Sequence, residues 1–190
     1  MAEILLFHHI HGLTPGVRDF GETLRAAGHT VHLPDLYEGQ VFDQFDEGVA
    51  YAQKVGFATL TERGRAAADG LPDALVYAGF SLGIMPTQSL AQSRPGARGA
   101  LLFHGCVPPA EFGSEWPRGL PVQIHGMADD PIFAGEGDLY AARALVASTE
   151  DAELFLYPGD QHLFLDSSLP GYDAAATAEL TDRVLAFLAR

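Results

Sequence analysis

Residues 75–83, Leu-Val-Tyr-Ala-Gly-Phe-Ser-Leu-Gly, constrain this chain more than any other stretch. An apolar run of this kind reads as a strand buried on both faces. It ends in Gly79-x-Ser81-x-Gly83, the pattern in which a strand turns sharply into a helix and leaves a serine at the tip. Glycines on either side let strand and helix approach closely around a strained residue. The five residues alone fit equally well a glycine-bounded strand end with a helix-capping serine. Partners elsewhere in the chain must decide between the two.

A length of 190 residues suits one domain, 1–190, large enough to bury about 70% of its unfolded surface. No apolar stretch approaches the roughly 20 residues of a membrane span. The N-terminus enters a strand without a basic leader, so no signal peptide is expected. Cys106 is the only cysteine. It excludes an intramolecular disulfide and fits a reducing compartment, so a cytoplasmic location is expected, with Cys106 as a small buried residue. The net charge of −14, with Lys54 the single lysine, repels nucleic-acid phosphates and anionic lipid. The expected partner is therefore a small molecule, with no nucleic acid and no membrane, and the protein itself a monomer or homodimer.

Taken in order, residues 3–9 form a first apolar strand, followed by a turn-rich loop, His9-Ile10-His11-Gly12. Thr14 and Pro15 open a helix on which Val17, Phe20 and Leu24 share a face, and Gly28 stops it. Residues 30–33 are a second strand. Residues 38–71 read as a broken helix weakened by Gly48, Gly56 and Gly64. Some of its aromatics are placed near a pocket, with core packing the preferred reading of Phe42, Phe45 and Phe57. Strands at 74–80, 98–103, 121–125 and 152–157 alternate with helices at 82–93, 137–147 and the C-terminus. A Pro/Gly-rich loop, 105–119, carries Phe112 and Trp116. This alternation predicts an α/β fold, a mostly parallel sheet with helices on both faces. Ligands in such sheets bind outside the carboxyl ends of the strands. Polar residues collect there: His8, His9 and His11, Ser81, His104, His125, Asp129 and Asp130, and His162.

A serine hydroxyl needs an adjacent base to become a nucleophile, and a histidine base needs a carboxylate to set its tautomer. Hydrolases built on a strand-to-helix nucleophile turn supply these groups in the order serine, acid, histidine. Ser81, the pair Asp129-Asp130 and His162 follow that order. Either aspartate could be the acid. Asp35, in Pro-Asp-Leu-Tyr, is expected to hold its own loop through backbone hydrogen bonds. The oxyanion calls for two backbone amides: Leu82, after the nucleophile at a helix start, and Ile10, in the loop after the first strand. His9 and His11 with Asp129 or Asp130 could ligate zinc if their loops converged, but no His-Glu-x-x-His pattern is present. No metal or cofactor is expected.

With these residues laid out, the chain resembles the dienelactone hydrolase family of α/β-hydrolases over nearly its whole length. The marks are Gly12 and the helix after it, Gly28-His29, Pro34-Asp35-Leu36-Tyr37, the nucleophile turn, Asp130-Pro131-Ile132-Phe133 and residues 159–164, Gly-Asp-Gln-His-Leu-Phe. The resemblance implies a compact α/β-hydrolase core without a lid and without two leading antiparallel strands. It selects Asp130 as the acid. Three positions depart from the family pattern. Ser81 stands where a cysteine nucleophile is expected, His9 where a glutamate is, and Asp166 where a substrate-binding arginine is.

The reading that follows is a serine esterase or lactonase in which Ser81, His162 and Asp130 perform acyl transfer. Its substrate is expected to be small and neutral, because a substrate carboxylate facing Asp166 on so acidic a protein is disfavoured. His9, Phe112 and Trp116 are candidate pocket residues, loop packing being the other account of the two aromatics. A thioesterase would use the same groups. A catalytically silent member binding a ligand in the crevice is the alternative from another class.

Overall fold

The computed structural model describes residues 1–113 and 115–190. Six strands form one sheet: β1 (Glu3–Phe7), β2 (Thr30–His32), β3 (Val76–Phe80), β4 (Gly99–Phe103), β5 (Val122–Met127) and β6 (Ala152–Tyr157). Their spatial order is β2-β1-β3-β4-β5-β6 and every pairing is parallel. The chain moves outward from β1 to β2, then returns across β1 to β3. The order therefore reverses between β1 and β3, which opens a crevice at their carboxyl ends.

Parallel strands need helical crossovers, and these cover both faces. In β1 the alternation is direct. Ile4 and Leu6 face one side, where they meet Val17, Phe20 and Leu24 of α1 (Pro15–Ala26) and Leu180, Val184 and Phe187 of α6 (Ala174–Leu188). Leu5 and Phe7 face the other, with α2 (Phe45–Val55), α3 (Phe57–Ala66), α4 (Ile84–Ser93) and α5 (Asp138–Ser148). Each fully buried aromatic or aliphatic side chain contributes about 1.5–3 kcal/mol to this arrangement.

Local signals act where the sequence places them. Thr14 caps α1 by accepting from the Val17 amide at 3.3 Å, and Pro15 occupies the first helical turn. The broken helix of residues 38–71 resolves into α2 and α3, divided at Gly56. Gly48 and Gly64 do not merely weaken these helices. A Cβ on Gly48 would stand 2.2 Å from the Ile10 carbonyl oxygen, and one on Gly64 would stand 2.4 Å from Cβ of Pro86. Both are points of close packing. Of the aromatics assigned to the core, Phe42 packs there beside Tyr37 and Tyr51, whereas Phe45 and Phe57 are 36% and 44% exposed.

Among the described residues no helix is long and apolar enough to cross a membrane.

Candidate active site

Ser81 leaves β3 in a 3-10 turn, Ser81–Gly83, with φ of +46°, a region costly for a residue with a Cβ. The flanking glycines are required by contact. A Cβ on Gly79 would lie 2.2 Å from the Gly83 carbonyl oxygen, and one on Gly83 would lie 2.7 Å from that of Phe7. The turn is thus pressed against the end of β1, and α4 starts immediately behind it.

The loop after β6 brings His162 to this tip. Its Nε2 is 2.8 Å from Ser81 Oγ, and its Nδ1 is 2.7 Å from Asp130 Oδ2. Asp130 is fully buried just beyond β5, and its Oδ1 accepts from the Ile132 amide at 2.8 Å. An Nδ1–H directed at Asp130 leaves the Nε2 lone pair for the serine hydroxyl. Asp129, the alternative acid, is exposed and joins the neighbouring loop through its backbone, donating to the Gly159 carbonyl. Leu82 follows Ser81 in the turn, and Ile10 lies in the loop after β1, its carbonyl against α2. Leu82 is part of the nucleophile turn itself, and the segment leading to Ile10 meets it through the Phe7 and His8 carbonyls, which a Cβ on Gly83 would approach within 2.7 and 2.8 Å.

His9 does not line a pocket. It is fully buried, with Nδ1 accepting from the His11 amide at 3.2 Å and Nε2 lying 2.7 Å from Asp166 Oδ2. An acceptor at Nδ1 requires the proton at Nε2, so this is a neutral imidazole donating to a carboxylate. Asp166 also accepts from the Thr14 hydroxyl at 2.5 Å and from the Ser168 amide and hydroxyl at 2.8 and 2.6 Å. Burial works to raise its pKa, but the hydrogen bonds from His9, Ser168 and Thr14 outweigh it and hold the carboxyl well below the usual range. Two of the three departures from the family pattern are therefore bonded to each other. Asp166 faces no substrate, so it cannot be the reason for a neutral one.

Other histidines separate by depth. His125 sits within β5, stacked on Phe155 at 5.2 Å and paired with the Tyr157 hydroxyl, rather than in the crevice. His8 is fixed between the His9 carbonyl and the Leu36 amide, and burial lowers its pKa to about 4. His104 is buried with its ring centroid 6.0 Å from that of His162, and neither of its ring nitrogens has a hydrogen-bond partner among the described residues. Burial pushes its pKa well down, so it stays neutral. Asp35 behaves as expected, accepting from the Tyr37 and Gly39 amides. Burial pushes the Cys106 thiol up to about 12, which makes it a poor nucleophile.

Phe112 is half-buried at the end of a short 3-10 turn, Pro109–Phe112, and Trp116 packs within its own loop. Trp116 is 8% exposed, donates to the Leu120 carbonyl and borders a separate hollow of about 650 Å³ with Pro108, Pro109 and Thr149. The hollow beside His162 is smaller, about 200 Å³, and is bordered by His11, Asp43, Phe45, Gln161, Leu163 and Leu169. Phe45 meets the His162 ring edge to face at 6.3 Å. Asp138, at the start of α5, was also not anticipated. Its carboxylate accepts from the Cys106 amide, and burial raises its pKa from 3.8 to about 6, partly offset by that bond and by His162. Phe45 is one of the aromatics weighed for a pocket, with core packing preferred, and it lines this hollow; no sequence pattern marked Asp43 or Asp138, since neither belongs to a motif. Among the described residues no group of three or more His, Cys, Asp or Glu side chains is arranged to hold a metal ion.

A sequence model of the dienelactone hydrolase family matches residues 1–190. A Saccharolobus solfataricus protein named as a carboxymethylenebutenolidase is 24% identical over 98% of this chain and 88% of its own length. Among solved structures, one from Klebsiella pneumoniae named as a dienelactone hydrolase superposes with a TM-score of 0.80 at 21% identity, covering 100% of this chain and 87% of its own. A dienelactone hydrolase-like promiscuous phosphotriesterase from metagenomic libraries gives 0.75 at 18%, covering 100% and 86%. At these identities the structural matches establish the α/β fold.

Proposed function

The chain belongs to the dienelactone hydrolase family, a carboxylic ester or lactone hydrolase, and we propose that it acts through a Ser81-His162-Asp130 triad on small, neutral acyl compounds. The observation that carries this reading is the continuous hydrogen-bonded chain from Ser81 Oγ through both ring nitrogens of His162 to a buried carboxylate, at 2.8 and 2.7 Å.

In the first half-reaction Ser81 Oγ attacks the carbonyl carbon while His162 Nε2 takes its proton. The carbonyl oxygen becomes an oxyanion, which the Leu82 and Ile10 amides hold. One such donor is typically worth about 10²–10³ in kcat. Asp130 keeps the ring oriented and stabilises the imidazolium. When the tetrahedral intermediate collapses, the proton passes from Nε2 to the departing alkoxide and an acyl-serine remains. Water, deprotonated by the same nitrogen, attacks that ester, and the acid departs as Ser81 recovers its proton.

Support for an uncharged substrate comes from the hollow at His162, which Asp43 borders and to which no lysine or arginine contributes. The single buried Cys106 suits a reducing compartment, and a cytoplasmic site of action is part of this proposal. The test is a panel of p-nitrophenyl esters and lactones against the native protein, Ser81→Ala and His162→Ala. Loss of at least about 10³-fold in both variants is expected. Full activity in either would remove the triad.

A further inference from the structure

In the mechanism above the departing alkoxide takes its proton from His162 Nε2, so the alcohol half of the ester lies on the His162 side of Ser81. The hollow there has one consistent chemical character. His11 directs Nδ1 at the Phe42 carbonyl oxygen, 2.8 Å away, so Nδ1 carries a proton and the lone pair of the neutral ring lies on Nε2. Among the described residues that Nε2 has no hydrogen-bond partner and is not a fully buried atom, and His11 borders the hollow. Gln161 uses its amide nitrogen on Asp160 at 2.6 Å and turns its carbonyl oxygen toward Gly171 on the same rim. Asp43 adds a carboxylate. All three polar groups accept hydrogen bonds. Between them stand the apolar surfaces of Phe45, Leu163 and Leu169.

From this juxtaposition of acceptors around an aromatic face we propose that the His162-side hollow is an alcohol subsite, selecting esters whose leaving alcohol carries a ring or carbon skeleton with further hydroxyl groups. The apolar face receives the skeleton and the acceptors receive its hydroxyl hydrogens. Two of the three acceptors are neutral and directional, which matches hydroxyl donors better than an ammonium group. An anionic alcohol meets Asp43 and no cation. This inference rests on the acyl-transfer reading for the side of the site it names.

The experiment compares cyclohexyl acetate with the monoacetate of trans-1,2-cyclohexanediol, which share an acyl group and differ by one hydroxyl. The native enzyme is expected to favour the hydroxylated ester about three- to tenfold in kcat/KM, the scale of one net hydrogen bond. His11→Phe should bring that ratio close to one, and Asp43→Leu, at an exposed position, should lower it independently should the first variant not fold. A native ratio near one, or a preference for acetylcholine over both esters, overturns the proposal. A binding measurement separates this failure from that of the triad. With Ser81→Ala, the diol should shift the His11 ring resonances in NMR at lower concentration than cyclohexanol does. Equal responses overturn the subsite. A stronger response to the diol supports it even where neither ester is turned over.

Discussion

Asp130 Oδ2 lies 2.7 Å from His162 Nδ1 while its other oxygen is held by the Ile132 amide, so the carboxylate has no freedom to turn away. Its neighbour Asp129 is exposed and takes no part in this arrangement. Asp130→Asn places an amide against Nδ1 and favours the wrong tautomer of His162. It should cut kcat on p-nitrophenyl acetate by about 10³–10⁴, against a change within about threefold for Asp129→Asn. Comparable losses in the two variants would contradict the assignment.

Gly48 offers a test in which two principles predict opposite signs. By helix propensity, alanine at this position in α2 should stabilise by about 1 kcal/mol. The added Cβ, however, would stand 2.2 Å from the Ile10 carbonyl oxygen, which can yield only by moving the loop after β1. Gly48→Ala is therefore expected to lower kcat about tenfold or more with a smaller change in KM. Urea denaturation should show no gain in stability.

Asp138 is held in an unfavourable place for a charge. Burial raises its pKa from 3.8 to about 6, so the folded state prefers the protonated carboxyl. Its contribution is present below the unfolded value and is lost as pH rises through about 6. Asp138→Asn keeps an oxygen for the Cys106 amide and removes the charge. After allowance for solvent at this half-buried position, it should gain about 1 kcal/mol at pH 8 and nothing at pH 4. Denaturant midpoints at the two pH values measure the difference.

The buried histidines set the opposite slope. Burial lowers the pKa of His8 from 6.5 to about 4, so its stabilising contribution is complete above 6.5 and is lost as pH falls through 4. The full loss is about 3 kcal/mol for this residue, and His104 and His125, also buried as neutral rings, act in the same direction. Urea stability should therefore drop between pH 6.5 and 4. In His8→Asn the slope over that interval should shrink by nearly one proton, although stability at pH 7 is also lower. An unchanged slope would mean that His8 is already protonated in the folded protein.

What was legible in the sequence follows from where its information is stored. The nucleophile turn needs Gly79, Ser81 and Gly83 side by side, and Asp130 and His162 each stand just past a strand, so short segments announced them. The α/β class followed in the same way, from strands and helices that alternate along the chain. The hollow at His162 is different. It forms where residues 40–45 meet residues 161–171, and neither segment reveals the meeting. His125 was misplaced because a strand residue two positions from its end points into a face, not into the crevice. For Phe112 and Trp116 the choice between pocket wall and loop packing stays open in the sequence, because an aromatic residue in a loop has no periodicity to give its direction away. Asp166 was read by comparison with a substrate-binding arginine, whereas its own bonds to Thr14, Ser168 and His9 decide its role.

The His9–Asp166 bond bears on how such a chain can diverge from its relatives. Positions 9 and 166 hold a histidine and an aspartate bonded to each other in the interior. A single change at position 9 toward the family residue would bury two carboxylates against each other. A single change at position 166 would bury a guanidinium against an imidazole already committed as a donor. Either single change is expected to lower stability, because it leaves the other member of a buried pair without a matching partner. A change at one of these two positions then calls for a matching change at the other, because neither partner can turn to solvent.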